Sequence, residues 1–563
     1  MQPEANSYLQ GPTTQPLLEE TIGQCLDRMA HTYPEREAIV VRHQGIRWTY
    51  SDYLKEINRL ATGLLNLGIK PGDRVGIWAP NRVEWCLTQF ATARIGAIMV
   101  CINPAYRLYE LEYALNKVEC NAIITAQSFK TSHYLDMLNQ LAPELKTCAP
   151  GQLQAAKLPH LKTVIRMGDQ TSPGMFNFDQ VCRLGTESDY ARMHSLSHQL
   201  KPSDPINIQF TSGTTGSPKG ATLTHYNILN NGYQVGQGMH LTEQDRLCIP
   251  VPLYHCFGMV MGNLACLTHG ATAVFPSDAF DPQAVLETVQ AERCTALHGV
   301  PTMFIAELDF PEFDQYDLSS LRTGIMAGSP CPAEIMRKVI ANMHMKDVTI
   351  MYGQTETSPV NHMTAIDAPL DKRCETVGKV GPHQEVKIID AEGNTVPLGT
   401  TGELCCRGYS VMQGYWNDPV KTAETIDDEQ WLHSGDLATM DAEGYVQIVG
   451  RIKDMIIRGG ENVYPREVEE FLYTHPDILD VQVFGIPDPK YGEEICAWVK
   501  ARSGSQLTEQ AIKTFCKDQI THFKVPRHIR FVEEYPMTVT GKIQKFKMRE
   551  AMVAELEHQN EPA

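Results

Sequence analysis

Apolar positions in the first 130 residues switch between a helical and a strand-like spacing. Leucine and isoleucine recur every three or four positions from 54 to 67, which predicts a helix capped by Ser51 and stopped at Gly68. The apolar runs 74–79 and 121–126 predict short strands, and 83–97 predicts a second helix. Alternating strands and helices predict an α/β fold with a largely parallel sheet.

The pattern changes three times further along the chain. Residues 149–204 are dotted with glycine, serine and proline and predict a connector, after which 206–359 predicts a second α/β region. The expected architecture is a large N-terminal domain of two α/β subdomains and a β-rich subdomain, followed by a small α+β C-terminal domain. The β-rich part is predicted from strands at 386–390, 402–407 and 445–449, and the C-terminal part from strands at 481–486, 495–499 and 529–532 and a helix at 508–517.

Charge and cysteine content narrow the class of protein. The 49 Lys and Arg against 67 Asp and Glu leave a net charge of −18, which argues against nucleic acid as a main partner. The 16 cysteines are scattered without a CxxC pair, and the N-terminus shows no leader pattern, so we expect a reduced, cytoplasmic protein. Residues 258–275 predict a buried helix and strand rather than a transmembrane segment. A homo-oligomer is compatible with the sequence, which does not decide the oligomeric state.

One segment, TSGTTGSPKG at 211–220, combines three glycines, five hydroxyl residues and a lysine directly after an apolar strand-like stretch. Glycine lets the backbone approach a ligand closely, and N–H groups, hydroxyls and a lysine can cradle phosphate oxygens. It is not a Walker A loop, because no glycine-lysine-Ser/Thr run closes it. The alternative is a flexible surface linker.

This segment resembles the phosphate-binding signature of the adenylate-forming superfamily, which includes acyl-CoA synthetases, luciferases and adenylation domains. The resemblance extends over about residues 20–550 and is closest to the medium-chain fatty acyl-CoA synthetases. The further motifs, in the family's order, are YGQTET at 352–357, SGD at 434–436, GRIKD at 450–454, RGGENVYP at 458–465 and PMTVTGK at 536–542. The resemblance implies an adenylation domain over 15–451, a hinge at 452–456 and a mobile lid over 457–550.

The resemblance also implies an ATP and AMP site. Tyr352 would stack on adenine, and Asp436 would accept hydrogen bonds from the ribose. For Asp436 and Arg451 an exposed ion pair is the alternative. The implied nucleotide-binding residues are Thr211, Ser212, Gly213, Thr214, Thr215, Gly216, Ser217, Pro218, Lys219, Gly328, Ser329, Pro330, Tyr352, Gly353, Asp436 and Arg451.

Three catalytic residues and one Mg²⁺ ligand follow from the same motifs. Glu356 matches the metal-binding glutamate and Thr355 the contact to the α-phosphate. Lys542 matches the lysine that bridges the attacking carboxylate and the α-phosphate, against the alternative of a solvated lysine. His255 matches the gate histidine beside the acyl carboxylate, although a lone histidine is more often structural.

The resemblance assigns the last group of residues to coenzyme A and to domain movement. Lys453 matches the hinge, and Gly459 and Gly460 would line the pantetheine channel. The basic stretch 521–549 suggests a landing surface for coenzyme A phosphates, with an ordinary solvated face as the alternative. Its candidate residues are Lys524, Arg527, Arg530, Lys545 and Lys547.

These motifs imply a Mg²⁺- and ATP-dependent fatty acid–CoA ligase that works through an acyl-adenylate. Amino-acid-activating relatives have an aspartate where this chain has Cys256 and Phe257, which favours an uncharged acyl tail. Alternatives are an aryl-, short- or branched-acid CoA ligase, an enzyme that loads a carrier protein, and a luciferase-like oxidative enzyme. A non-catalytic nucleotide or acyl-CoA sensor is the alternative from another class.

Overall fold

The computed structural model of the chain describes residues 6–211, 218–329, 331–458, 461–517, 519–538 and 542–560. The predicted site residues Ser212, Gly213, Thr214, Thr215, Gly216, Ser217, Pro330, Gly459 and Gly460 lie outside these ranges.

The first sheet has eight strands and a parallel centre. Its central strands are buried along their whole length, as expected for strands covered by helices on both faces. Only the two strands at one edge run antiparallel to their neighbours. In spatial order the strands are Gly414–Tyr415, Lys219–Thr224, Pro205–Thr211, Ile98–Cys101, Arg74–Trp78, Ala122–Thr125, Thr163–Arg166 and Phe176–Asn177.

The second sheet has nine strands, with a parallel centre and antiparallel pairs at both edges. The two α/β subdomains that the sequence predicts are therefore confirmed, but their predicted bounds are wrong. Pro205–Thr211 and Lys219–Thr224 belong to the first sheet, and Glu37–Val41 and Ile46–Thr49 belong to the second, because strands join sheets through partners remote in the sequence. In spatial order the strands of the second sheet are Lys379–Val380, Val360–Met363, Asp347–Gly353, Thr323–Met326, Ala296–Gly299, Arg246–Cys248, Thr272–Phe275, Glu37–Val41 and Ile46–Thr49.

The third sheet is wholly antiparallel and forms the predicted β-rich subdomain. Its five strands are Tyr8–Gln10, Gln384–Ile389, Gly402–Gly408, Leu432–Met440 and Val446–Arg451.

A small C-terminal sheet has its own hydrophobic core and confirms the predicted α+β unit. Four of its strands are antiparallel, and the fifth, His528–Phe531, runs parallel to its neighbour Gly492–Ala501. The other strands are Glu461–Val463, Ile456–Arg458 and Ile478–Asp488, and the helices of this domain are Pro465–Leu472, Glu509–Cys516 and Lys545–Asn560.

Helices connect the strands of the two large sheets. The α-helices of the N-terminal part are Ile22–Thr32, Tyr50–Asn66, Val83–Ile95, Leu108–Lys117, Tyr134–Leu141, Phe178–Val181, Glu187–Ser197, His225–Gly238, Ala265–His269, Pro282–Glu292, Pro301–Leu308, Ala333–Asn342, Leu370–Glu375 and Pro419–Thr425. Phe257–Leu264 is a π-helix, and the short 3₁₀ helices are Arg42–Gln44, Pro143–Lys146, Phe313–Gln315, Thr355–Thr357, Ile452–Asp454 and His522–Lys524.

Two local predictions are wrong. Thr49, not Ser51, caps the helix Tyr50–Asn66, because the Thr49 hydroxyl and the Asp52 carboxylate form a reciprocal capping box. The predicted connector at 149–204 contains two strands of the first sheet and the helix Glu187–Ser197. Its strands are too short to show a period in the sequence, and their partners lie far away along the chain.

The segment from 258 to 275 is confirmed as a buried helix and strand. It comprises the π-helix Phe257–Leu264, a short α-helix and the strand Thr272–Phe275. Across the described ranges no helix combines the length and apolar character needed to cross a bilayer.

Candidate active site

The candidate site lies where the first and second sheets meet the C-terminal domain. The strand Pro205–Thr211 ends beside it, and its antiparallel partner begins at Lys219, so the two strands bracket the glycine-rich segment. The hydroxyl of Thr211 is buried and has no hydrogen-bond partner among the described residues. A buried hydroxyl without a protein partner is suited to an incoming ligand. Tyr113 fixes the other end of the segment by donating to the carbonyl of Pro218 over 3.2 Å.

The acidic residue of the site lies on the short helix Thr355–Thr357, which follows the second-sheet strand Asp347–Gly353. Tyr415 donates to one carboxylate oxygen of Glu356 over 2.7 Å. The ammonium of Lys219 lies 4.3 Å above the Tyr415 ring. Tyr415 thus contacts both Glu356 and Lys219. Thr355, which precedes Glu356 in the chain, is half-buried.

The aromatic and ribose residues also lie together. Tyr352 donates to Asp436 over 2.5 Å, and Arg451 Nε lies 3.1 Å from the other oxygen of the same carboxylate. Burial, followed by the charge of Asp436, raises the pKa of Tyr352 well above its ordinary value, so its hydroxyl remains a donor. The next residue, Gly353, packs closely against the carbonyl oxygen of Pro359. A Cβ on Gly353 would lie 1.9 Å from that oxygen, so this position requires glycine.

A bulge in the third sheet presents Asp436. Glu403 pairs with Leu437 and Cys405 with His433, so three residues of the second strand lie opposite the single residue between Glu403 and Cys405. Those three residues are the SGD motif. The middle residue, Gly435, has φ +71° and donates its N–H to Glu403 over 3.0 Å.

Lys542 enters the same cleft from the C-terminal domain. The N–H of Thr538 donates to the Lys542 carbonyl over 2.8 Å. The cavity around its side chain is lined by Val251, Pro252, His255, Phe257, Val300, Gly328 and Lys542.

Burial and the positive charge of Arg451 lower the pKa of Lys542 to about 8, against the opposing influence of Asp436 and Glu356. The pKa of Lys542 thus depends on the charges of Arg451, Asp436 and Glu356. These four residues come from four different sequence motifs, which the fold brings together.

His255 lines the same cavity as Lys542. Its Nδ1 accepts the N–H of Phe257 over 3.2 Å, so the neutral ring carries its proton on Nε2. Burial, and then the charge of Lys542, lowers the pKa of His255 to about 4. The imidazole is therefore neutral at physiological pH.

Gly328 leaves space next to Val300 in the lining of the cavity that contains Lys542. Gly328 has φ +89°, and a Cβ there would lie 3.1 Å from a methyl of Val300. Ser329 is half-buried next to it.

Lys453 lies on the short helix Ile452–Asp454, directly after the last strand of the third sheet. It is exposed on the segment that joins the two domains.

Several cations of the basic stretch, which the sequence suggests as a landing surface for coenzyme A, have acidic partners in the structure. Lys524 pairs with Glu467, Arg530 lies 2.9 Å from Glu555, and Lys545 donates to Glu469. Arg527 lies 3.7 Å from Glu494, and the Lys547 ammonium lies 5.9 Å from the ring of Phe546. Lys545 also donates to the carbonyl of Val483 over 2.8 Å, which gives it a structural role. The acidic partners are remote in sequence, so the local composition did not show that these cations are paired, and their contact with coenzyme A stays a prediction.

Two residues of the site, Tyr415 and Val300, were not predicted from the sequence. Tyr415 lies 59 positions after the glutamate that it contacts, and Val300 lines the same cavity as Lys542. No local pattern marks either residue, because each reaches the site only through the packing of the sheets.

The AMP-binding enzyme family matches residues 26–416, and the AMP-binding enzyme C-terminal domain matches residues 467–542. The chain is 48% identical to the mitochondrial medium-chain acyl-CoA ligase ACSF2 of Danio rerio, over 97% of this chain and 90% of that protein.

Two solved structures share the fold. One is the anthranilate CoA ligase AuaEII in complex with anthranoyl-AMP, with a TM-score of 0.85, 28% identity and coverage of 96% of this chain and 99% of that chain. The other is ATP-bound MatB from Rhodopseudomonas palustris, with a TM-score of 0.77, 27% identity and coverage of 94% and 98%. The predicted superfamily and architecture are therefore confirmed, and the chain belongs to the AMP-binding enzyme family, among its acyl-CoA ligases.

Proposed function

We propose that the protein joins a medium-chain fatty acid to coenzyme A in two steps. In the first step the acid carboxylate attacks the α-phosphorus of ATP, giving acyl-adenylate and pyrophosphate. In the second step the thiol of coenzyme A attacks the acyl carbonyl, and AMP leaves. The observation that carries this proposal is the entry of Lys542 into a cleft already lined by His255 and Gly328.

Charge explains why the first step needs this arrangement. An anionic carboxylate must approach a polyanionic triphosphate, so positive charge at the reacting oxygens lowers the barrier. Lys542 supplies a compact ammonium with three donors between the two anions. The neutral His255, with its proton on Nε2, can donate to an oxygen without repelling the nearby ammonium.

The nucleotide would be held by groups on either side of Lys542. Tyr352 offers a face for adenine, and Asp436 can accept hydrogen bonds from the ribose while Arg451 holds its carboxylate in place. Thr211, Lys219 and the hydroxyl of Thr355 would bind phosphate oxygens. We infer these roles from the clustering of the side chains and from the resemblance of the motifs.

The site also suits Mg²⁺, which prefers oxygen ligands and often takes one carboxylate together with phosphates. Glu356 would hold the ion through the oxygen that Tyr415 leaves available. Mg²⁺ there would neutralise phosphate charge.

An apolar wall supports a hydrocarbon substrate. The π-helix Phe257–Leu264 is buried along its whole length, and Phe257 and Val300 line the cavity beside Lys542. The relative from Danio rerio is named a medium-chain ligase, which supports middle chain lengths for this protein.

The second step needs Lys542 to leave and the thiol to enter. We propose that residues 457–550 turn as a lid about 452–456 against an adenylation domain over 15–451. Lys453 would absorb the change in backbone dihedrals. Gly459 and Gly460, which lie outside the described residues, would line the pantetheine channel.

AMP formation from ATP and Mg²⁺ tests the function directly. The purified protein is assayed with saturated acids from acetate to palmitate and with benzoate, each with and without coenzyme A. We expect coenzyme A-dependent turnover with a maximum at middle chain lengths.

Other outcomes would identify the alternatives. A maximum with benzoate or with a short or branched acid would reassign the substrate. Pyrophosphate release without any effect of coenzyme A would indicate another acceptor, such as a carrier protein. Absence of turnover with every acid would contradict the proposal and favour a sensor.

The cellular location remains a prediction. The sequence predicts a cytoplasmic protein, whereas the relative from Danio rerio is named mitochondrial.

A further inference from the structure

A cluster of metal-ligand side chains lies on the third sheet, next to the bulge that presents Asp436. Glu403 and Cys405 are two positions apart on the strand Gly402–Gly408, and His433 pairs with Cys405 on the neighbouring strand. Side chains two apart on a strand point to the same face, so the register brings all three together. Their ligand atoms all lie within 4.8 Å of one another.

The distances fit one small ion. His433 Nδ1 lies 3.0 Å from the Glu403 carboxylate and 3.6 Å from the Cys405 sulfur. Two ligands of one tetrahedral zinc ion, each about 2.0–2.3 Å from it, are separated by roughly 3.3–3.6 Å. Both separations from His433 are therefore close to those around one metal ion, and the Glu403 oxygen and the Cys405 sulfur lie within 4.8 Å of each other.

A fourth side chain supports the histidine from behind. His433 Nε2 lies 3.7 Å from Oδ2 of Asp427. The other oxygen of Asp427 accepts the backbone N–H groups of Glu429 and Trp431, which fixes the carboxylate. Metal-binding histidines commonly direct their second ring nitrogen to a carboxylate in this way.

From this geometry we propose that Glu403, Cys405 and His433 bind a soft divalent transition metal of the Zn²⁺ type, with water as the fourth ligand. The set of one sulfur, one nitrogen and one oxygen is suited to zinc rather than Mg²⁺, which takes oxygen ligands. This site is separate from the proposed Mg²⁺ ligand Glu356, and the inference does not depend on the proposed reaction.

The protons balance on binding. A thiol gives up its proton when it becomes a metal ligand, because the thiolate is the form that binds. On binding, the sulfur bonds to the metal as a thiolate and its proton leaves to solvent. The neutral His433 ring binds through Nδ1 and carries its proton on Nε2, facing Asp427.

The ion would brace the ribose end of the active site. Glu403 already accepts the N–H of Gly435 through Oε1, and its other oxygen, Oε2, faces His433. A metal on Oε2 would connect the two strands at the base of the bulge that carries Asp436.

Cobalt substitution tests the site in the full-length protein. The protein is dialysed against a chelator and titrated with Co²⁺, and the thiolate-to-cobalt charge-transfer absorption is recorded. We expect one equivalent of Co²⁺ to produce the band, and Zn²⁺ but not Mg²⁺ to abolish it. Zn²⁺ should also raise the thermal midpoint of the wild-type protein.

The chain supplies a matched control in the adjacent cysteine. Cys406 points to the opposite face of the same strand, where its sulfur accepts from Asn361. Cys405→Ser should abolish the band, whereas Cys406→Ser should retain it. Asp427→Asn should keep the band with an affinity about 10–100-fold weaker.

Three outcomes would overturn the inference: no band in the wild type, a band that survives Cys405→Ser, or equal loss in the two cysteine variants. Thermal midpoints in metal-free buffer establish that each variant is folded. If Cys405→Ser does not fold, His433→Gln takes its place, and an unchanged cobalt affinity in that variant would reject the site.

Discussion

Lys542 shows how a single residue is tuned by groups from distant parts of the chain. Burial and Arg451 lower its pKa to about 8, while Asp436 and Glu356 hold it from falling further. An ammonium with this pKa is still largely charged at neutral pH, and it is less strongly hydrated than a surface lysine. Both properties favour a close approach to phosphate.

Removing this charge should separate the two half-reactions. We expect Lys542→Ala to slow acyl-adenylate formation by about 10²–10³, because a donor at the developing charge contributes roughly 3–4 kcal/mol. Thioester formation from supplied acyl-adenylate should be largely retained. Pyrophosphate exchange and single-turnover thioester assays measure the two steps, and equal losses in both would contradict the assigned role.

The pKa of Lys542 also predicts a pH dependence for adenylation. The active form is protonated, so kcat/KM for ATP should fall as the pH rises through about 8, approaching tenfold per pH unit above it. Lys542→Arg keeps a charge at all these pH values, so its lower rate should not show this decline. A wild-type profile that stays flat to pH 10 would show that the lysine does not control the step.

At the level of elements, the position of the phosphate-binding segment depends on the junction between the strand and the helix that follow it. The strand Lys219–Thr224 leads directly into the helix His225–Gly238. The hydroxyl of Thr224 accepts the N–H of Asn227 over 3.0 Å, and the side chain of Asn227 accepts the N–H of Thr224 over 2.9 Å. This capping box fixes the direction in which the chain leaves the phosphate segment.

Thr224→Ala should therefore destabilise the protein by about 1–2 kcal/mol, since a buried helix cap is lost. Thr224→Ser keeps the hydroxyl and should lose less. Thr186 caps the helix Glu187–Ser197 in the same way but is exposed, so Thr186→Ala is a matched comparison with a smaller expected effect. Urea unfolding measures all three, and equal losses at Thr224 and Thr186 would refute the importance of burial.

At the scale of the whole molecule, the C-terminal domain contacts the large domain through both polar and apolar groups, and Leu479 packs against a hydrophobic cluster of the large domain. Arg466 donates to the carbonyl of Ile448 over 3.0 Å. Beside this contact the two domains leave a cavity of about 410 Å³, whose lining includes Arg337, Glu470 and Arg502. Because an incompletely packed interface costs less to separate than a closely packed one, this arrangement suits a domain that changes position.

Restricting the junction should affect the second half-reaction most. Lys453→Pro fixes one backbone dihedral at the junction, while a proline in the first turn of a short helix is compatible with the present conformation. We expect thioester formation to slow much more than pyrophosphate exchange. Lys453→Ala, which leaves the backbone free, is the control, and similar effects of the two substitutions would argue against a hinge.

Elements that depend on neighbouring residues could be predicted from the sequence, whereas elements that depend on residues far apart in the chain could not. The helix at 50–66 and the strands at 74–78 and 122–125 are visible in the sequence because apolar spacing is a local property. The strands at 163–166 and 176–177 are not, because they are short and their partners are remote. Tyr415 could not be predicted from the sequence for the same reason, because its partner Glu356 is 59 positions away.

The sequence by itself determined the alternation of elements, the β-rich segment, the small C-terminal domain and, through its motifs, the superfamily. Those features depend on residue spacing and on short segments that are contiguous in the chain. The tertiary structure alone decided that Lys542 and His255 line one cavity, that Tyr415 donates to Glu356, and that Lys524 and Lys545 pair with glutamates. Contacts between residues far apart in the chain depend on how the sheets and domains pack, and no local pattern encodes that packing.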